Sequence, residues 1–129
     1  MKCVFICMGD QSYDTSIELS DAIAEACKAT KRNVAVIGSS DFNHYESASI
    51  AEEKDTPAIE AITNMNPKEF QELIHSSNDS ACGYGPISVA ALFAKNVGAA
   101  KGTLLKYANS GEATQDFSSV VAYASIAFQ

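Results

Sequence analysis

No apolar run in this 129-residue sequence approaches the roughly 20 residues that a membrane helix needs, and Met1-Lys2 does not open a signal peptide. Basic residues are scarce as well. Nine Lys and Arg stand against 16 Asp and Glu, a net charge of −7, and only Lys31-Arg32 are adjacent. That balance excludes a nucleic-acid or anionic-membrane binder as the expected class. Cys3, Cys7, Cys27 and Cys82 form no CxxC pair. Three of them fall in segments that read as strand or helix, where a free Cys behaves as a small apolar residue. A cytoplasmic protein with reduced thiols is the expectation. Internal repeats and low-complexity tracts are absent too.

What is present is globular: 47% hydrophobic and 9% aromatic residues. The length fits one α/β domain over 1–129 with a real core. The run at 2–8 (KCVFICM) reads as a strand covered on both faces. Thr15 and Glu18 have capping-box spacing for a helix to residue 31, with Leu19, Ile23, Ala26, Cys27 and Thr30 on its apolar face. A second strand at 33–38 completes a βαβ unit with parallel strands. A short exposed helix at 47–54 and a second at 55–65 come next. Asn66-Pro67-Lys68-Glu69 is a strong helix start, with Phe70, Leu73 and Ile74 as the buried stripe. Pro86 suits the first turn of a helix to residue 97, apolar nearly all round and therefore buried, with Gly98 as its stop. Strands at 103–107 and 120–128 close the chain as an antiparallel pair. The fold class is α/β: a mixed sheet with flanking helices.

Two stretches carry chemistry. Asp41 and His44 follow a strand end, three residues apart, so a carboxylate and an imidazole can be aimed at one point. The alternative is that Asp41 caps a helix and His44 is a loop residue. Cys82, in Cys82-Gly83-Tyr84-Gly85-Pro86, lies just ahead of the N-terminus of the buried helix, where a thiol tends toward thiolate character. The alternative there is an inert Cys in a tight turn. Loops of both kinds open toward one edge of an α/β sheet, so Asp41, His44 and Cys82 are expected in one cleft. His75, at a helix end, is read as a partner for the helix dipole rather than a ligand.

MGDQ at 8–11, SSDFNHY at 39–45, CGYGPI at 82–87, LLKYANSG at 104–111 and VVAYASIAF at 120–128 together resemble the Memo family, whose microbial members are called AmmeMemoRadiSam system protein B. The resemblance runs through the whole sequence but covers only the C-terminal half of that family, so a fragment or shortened member is expected. Asn43, Glu112, Gln115 and Ala122 depart from the family's usual Ser, Asp, Gly and Gly. The resemblance implies a fold similar to the class III extradiol dioxygenases. It makes Cys82 a metal ligand with Asp41 and His44 beside it, in a sphere left incomplete without histidines of the other half. The residue types agree, because thiolate, imidazole and carboxylate suit iron or copper, then zinc, ahead of magnesium or calcium. A thiolate ligand also departs from the dioxygenases, whose ligands are oxygen and nitrogen.

Three function classes remain open. One is a redox-active metal protein or oxidoreductase built on Asp41, His44 and Cys82. Another is a non-catalytic module whose cleft takes a peptide or small molecule, metal-free in this chain. The last is a thiol hydrolase with Cys82 as nucleophile, His44 as base and Asp41 as orienter. An exposed apolar patch, or a homodimer hiding one, is expected where the other half of the family would lie.

Overall fold

The first helix, α1, runs Tyr13–Thr30, and its cap is Ser12 rather than the Thr15 that the capping-box spacing predicts. Ser12 Oγ accepts from the Thr15 amide at 3.3 Å. Asp10 decides the position: its carboxylate accepts from the Thr15 hydroxyl (2.6 Å), the Ser12 amide (2.9 Å) and the Ser12 hydroxyl (3.0 Å). Those donors hold the Asp10 carboxyl below the usual carboxylate range, and an anion at a helix N-terminus is favoured in any case. The buried face of α1 is Ser16, Ser20 and Ala24, four apart. Leu19, Ile23 and Cys27 are half-buried, and Ala26 and Thr30 are exposed. Small side chains win this face because it packs on another helix, where they permit close approach.

The remaining elements of this computed structural model, which describes residues 2–129, are β1 (His44–Glu46), α2 (Ala48–Thr63), α3 (Pro67–Ser76), α4 (Tyr84–Asn96), β2 (Gly102–Asn109), α5 (Gly111–Thr114) and β3 (Val120–Phe128). The two helices expected at 47–54 and 55–65 are one. Ser47 caps α2 by accepting from the Ile50 amide at 3.4 Å. Pro57 lies inside it and removes one helical donor. The helix continues because Ala51, Asp55, Ala58, Ile59 and Ile62 form one buried stripe across the proline. α3 starts as its sequence predicts: Pro67 is its first residue, and Asn66 and Glu69 exchange hydrogen bonds at 3.4 and 2.7 Å. α4 is the buried helix, with Ile87, Val89, Ala90, Ala91 and Phe93 inside.

The architecture is α/β, with helices flanking a three-stranded antiparallel sheet in the order β1-β3-β2. β2 and β3 form the expected hairpin, from Gly102 opposite Phe128 to Asn109 opposite Ala122, with an irregularity near Leu105. β1 is an unexpected third strand, pairing His44 with Val121 and Glu46 with Val120. Phe42, Phe70, Ile62, Ile74, Val120 and Ala122 make the core between sheet and helices.

The segments 2–8 and 33–38, read from sequence as parallel strands, carry no strand among the described residues. Strand formation requires a ladder partner as well as an apolar pattern, and among the described residues the only ladders join β1, β2 and β3. Most apolar residues of these segments are open: Val4 is 86% exposed, Phe5 95% and Ile37 86%, while Met8 and Val36 are half-buried. Cys3 and Cys7 are exposed with them rather than packed as small apolar residues. Residues 34–38 run beside α4 and line an apolar groove of about 420 Å³ with Ile87, Phe93, Ile126 and Phe128. The expected apolar patch is therefore present. No helix of the described residues is long and apolar enough to cross a membrane.

Gly38 fixes where the 34–38 segment meets α4. A Cβ there would lie 2.5 Å from the Pro86 carbonyl oxygen, backbone against backbone, with no flexible side chain to yield. Gly38→Ala is expected to destabilise the chain by about 1–3 kcal/mol through overpacking, read as a lower urea midpoint with an unchanged m-value.

Candidate functional site

Three segments converge on the start of α4. Gly83 is its N-terminal boundary residue and has no side chain to cap it. The orphan amides of the first turn are met from elsewhere in the chain: Ser40 Oγ accepts from Gly83 N–H at 2.7 Å, and Gln11 Oε1 accepts from Gly85 N–H at 3.0 Å. The other end of the Gln11 amide donates to the Cys82 carbonyl at 3.0 Å. Gln11 thus holds the Cys82 turn from both sides. Gly83 is required by proximity: a Cβ would sit 2.5 Å from the Ser39 carbonyl oxygen and 2.7 Å from Ser40 Cβ.

This clamp sets the Cys82 sulfur over the loop that carries Asp41. The Asp41 amide N–H points at Sγ at 3.3 Å, Ser40 Oγ lies 3.8 Å from it, and the Cys82 amide donates to the Asp41 carbonyl at 3.3 Å. His44 is fixed from the other side. Its backbone amide donates to Ser80 Oγ at 2.7 Å, and its ring Nδ1 lies 3.0 Å from the Ser80 carbonyl oxygen. A carbonyl oxygen only accepts, so Nδ1 carries a proton, and in the neutral ring Nε2 presents its lone pair. Nε2 faces Asp41 Oδ2 at 3.7 Å.

One ligand atom each from Asp41, His44 and Cys82 lies within 4.8 Å of the others. The three residues expected in one cleft are together. An imidazole nitrogen and a carboxylate oxygen on one four-coordinate ion, each about 2.0–2.2 Å from it, are themselves about 3.3–3.6 Å apart, and the His44–Asp41 separation of 3.7 Å is slightly wider. In the neutral ring the Nε2 lone pair faces a carboxylate, an arrangement that a cation or a proton stabilises. The backbone carbonyl on Nδ1 is the outer partner that metal-bound histidines ordinarily have. Asp41 and His44 are half-buried and Cys82 is exposed, so the group is reachable from solvent. The donor set is therefore one that could hold a metal ion.

His75 takes no part. It lies in the last turn of α3 with its ring edge-on to Tyr84, centroids 5.0 Å apart. Sequence reasoning singled out neither Gln11, Ser40 nor Ser80. A polar signal existed for Gln11, which ends the Met8-Gly9-Asp10-Gln11 break between apolar run and helix. Ser40 and Ser80 have no local signal, since their partners are 36 to 43 residues away.

Replacing Gln11 with Ala removes both bonds to the Cys82 turn. The expected outcome is a loss of about 1–2 kcal/mol of stability and faster amide exchange at Gly85, measured by hydrogen exchange with NMR detection.

The family model described as Memo-like protein matches residues 1–127. A MEMO1 family protein of Methanocaldococcus jannaschii is 46% identical over 124 residues, which cover 96% of this chain and 43% of that protein. One from Methanosarcina barkeri is 44% identical over 121 residues, 94% of this chain and 46% of the relative. One from Methanopyrus kandleri is 40% identical over 128 residues, 99% and 45% respectively. The chain spans less than half the length of each of these relatives. With the match extending over nearly every residue, including all three of the convergent segments, the chain belongs to the Memo-like family.

Proposed function

We propose that this chain is a metal-binding protein in which Asp41, His44 and Cys82 hold a thiophilic transition metal, iron or copper ahead of zinc, for redox chemistry. The observation that carries the reading is the orientation of His44. Its Nδ1 is committed to the Ser80 carbonyl, and its Nε2 is turned toward Asp41 and into the same 4.8 Å group as the Cys82 sulfur. A soft thiolate selects for such metals, and imidazole and carboxylate complete a mixed set that hard cations do not favour. Bound there, iron or copper would supply one-electron and Lewis-acid chemistry. The chain's own part is to orient the ligands. The Asp41 amide directs an N–H at the sulfur, Ser80 fixes the imidazole tautomer, and Gln11 and Ser40 keep the Cys82 turn in place.

The same three residue types would serve a thiol hydrolase, but that arrangement needs the imidazole on the thiol and the carboxylate behind it. Here a backbone carbonyl stands behind the ring, and the carboxylate is in front of it. This order favours a metal over a nucleophile and its base. Three ligands leave the sphere open, so binding by this chain alone should be weak and readily reversed.

Metal analysis of protein purified without oxygen, followed by titration with Fe(II) and Cu(I), tests the reading. Cys82→Ser is expected to weaken Cu(I) binding at least about tenfold, the scale on which even outer partners act. His75→Ala should bind like the parent. Equal binding by Cys82→Ser and the parent would remove the metal reading.

A further inference from the structure

Asp55 is fully buried in the middle of α2, on the apolar stripe between Ala51 and Ala58. Its carboxylate reaches two elements of the site. Oδ1 accepts from the Asn43 amide at 3.3 Å, in the segment between Asp41 and His44, and Oδ2 accepts from the Tyr107 hydroxyl of β2 at 2.6 Å. A third neighbour is Asp79, whose carboxyl lies beside it. Asp79 belongs to the segment that leads into Cys82: its Oδ1 accepts from the Ala81 amide at 3.0 Å. Asp79 Oδ2 is buried with no donor to meet it. A buried acceptor of this kind is costly, and two ionised carboxylates in contact are costlier. One proton between Asp55 and Asp79 removes both costs.

We propose that Asp55 and Asp79 share a single proton and are positioning residues, which lock the Asp41/His44 loop to the Cys82 loop from beneath the site. The clamp has a second strand beside it. Lys54, the neighbour of Asp55 on α2, pairs with Glu46 at 2.8 Å and donates to the Asn78 carbonyl at 3.3 Å. Adjacent residues of one helix thus tie positions 43 and 46 to positions 78 and 79. The ionisable groups facing Asp55 are Asp79 from the segment after α3 and Tyr107 from β2; Glu52 lies on its own helix, and the Lys54–Glu46 pair is adjacent. β3 presents the apolar Val120 and Ala122 to this core. Tyr107 stays a donor, since burial and Asp55 both raise its pKa.

Burial, and after it the hydrogen bond and charge of Asp79, push the Asp55 carboxyl up to about 8, whereas an unfolded Asp titrates near ~3.9. Between those values the folded chain keeps a proton that the unfolded chain has released. The stability this proton contributes is full below about 4 and is lost as pH rises through about 8.

The test is Asp79→Asn, whose amide keeps the acceptor for Ala81 and supplies a permanent N–H in place of the shared proton. The parent's urea midpoint should fall between pH 5 and pH 9, and D79N should lose at least half of that fall. The positioning claim rests on the metal-binding reading above and uses Co(II), with its thiolate absorption band, as probe. Parent and D79N should bind within about twofold at pH 6.5, and D79N about tenfold more tightly at pH 9. An equal pH dependence of the midpoint in both proteins overturns the shared proton, and an equal affinity at pH 9 overturns the positioning role. If the parent takes up no Co(II), the metal reading fails alone. The ¹⁵N shift of His44 Nδ1 then reports the loop: a step near pH 8 in the parent and none in D79N supports the lock, and no step in either overturns it. Should D79N not fold, carboxyl ¹³C titration of the parent decides. One Asp titrating near 8 is expected, and all of them titrating below pH 6 overturns the pair.

Discussion

The start of α4 is a helix N-terminus that cannot cap itself, and the site follows from how it is satisfied. Gly83 offers no side chain, because the Ser39 carbonyl occupies the space a Cβ would need. The amides of that first turn must then be met by residues distant in sequence. Gln11 reaches in from the segment before α1, and Ser40 from the segment before β1. Each of these bonds closes a long loop, so each restricts the relative position of two segments as well as satisfying a donor. Cys82 precedes this turn and Asp41 follows Ser40, and the pairing of sulfur with carboxylate is a by-product of capping the helix.

Polar groups organise much of the interior. Gln71 Nε2 donates to Ser88 Oγ at 3.0 Å and reaches Ser16 Oγ at 3.3 Å, so α3, α4 and α1 meet through amide and hydroxyl groups. Asn96 closes the far end of the α1–α4 contact on Ser20 and Asp21. Asp55 does the same work between α2, β2 and the site loops. Satisfied networks of this kind specify one arrangement more sharply than apolar contact does, and a missing partner is expensive. Val4, Phe5 and Ile37, by contrast, are largely exposed.

Much of the helical structure was legible. Asn66, Pro67 and Glu69 specify the start of α3, and Gly98, with its positive φ, ends the α4 region where expected. The hairpin of β2 and β3 could be read from its apolar runs and the turn residues between them. The α2 boundary was misread because Ala48–Lys54 is polar in composition, although Ala51 and Asp55 already fall on the stripe of Ala58 and Ile62. An acid on an apolar helical stripe is the available signal for a buried carboxylate network. The Thr15 capping box failed for a related reason. Asp10 and Ser12 upstream offered a better-satisfied start, which counting from the apolar periodicity passes over.

By itself the sequence determined α3 and α4, the closing hairpin and the identity of Asp41, His44 and Cys82 as the residues worth watching, because these depend on local pattern and residue chemistry. Tertiary structure decided the rest. β1 is three residues long and exists only because β3 supplies its ladder. The apolar runs at 2–8 and 33–38 have strand composition but no partner among the described residues, and composition cannot supply one. The His44 tautomer depends on a carbonyl 36 residues away, and the protonation of Asp55 on a second carboxyl 24 residues away. A hydrogen bond or a shared proton is a property of two groups at a distance, and only the folded chain sets that distance.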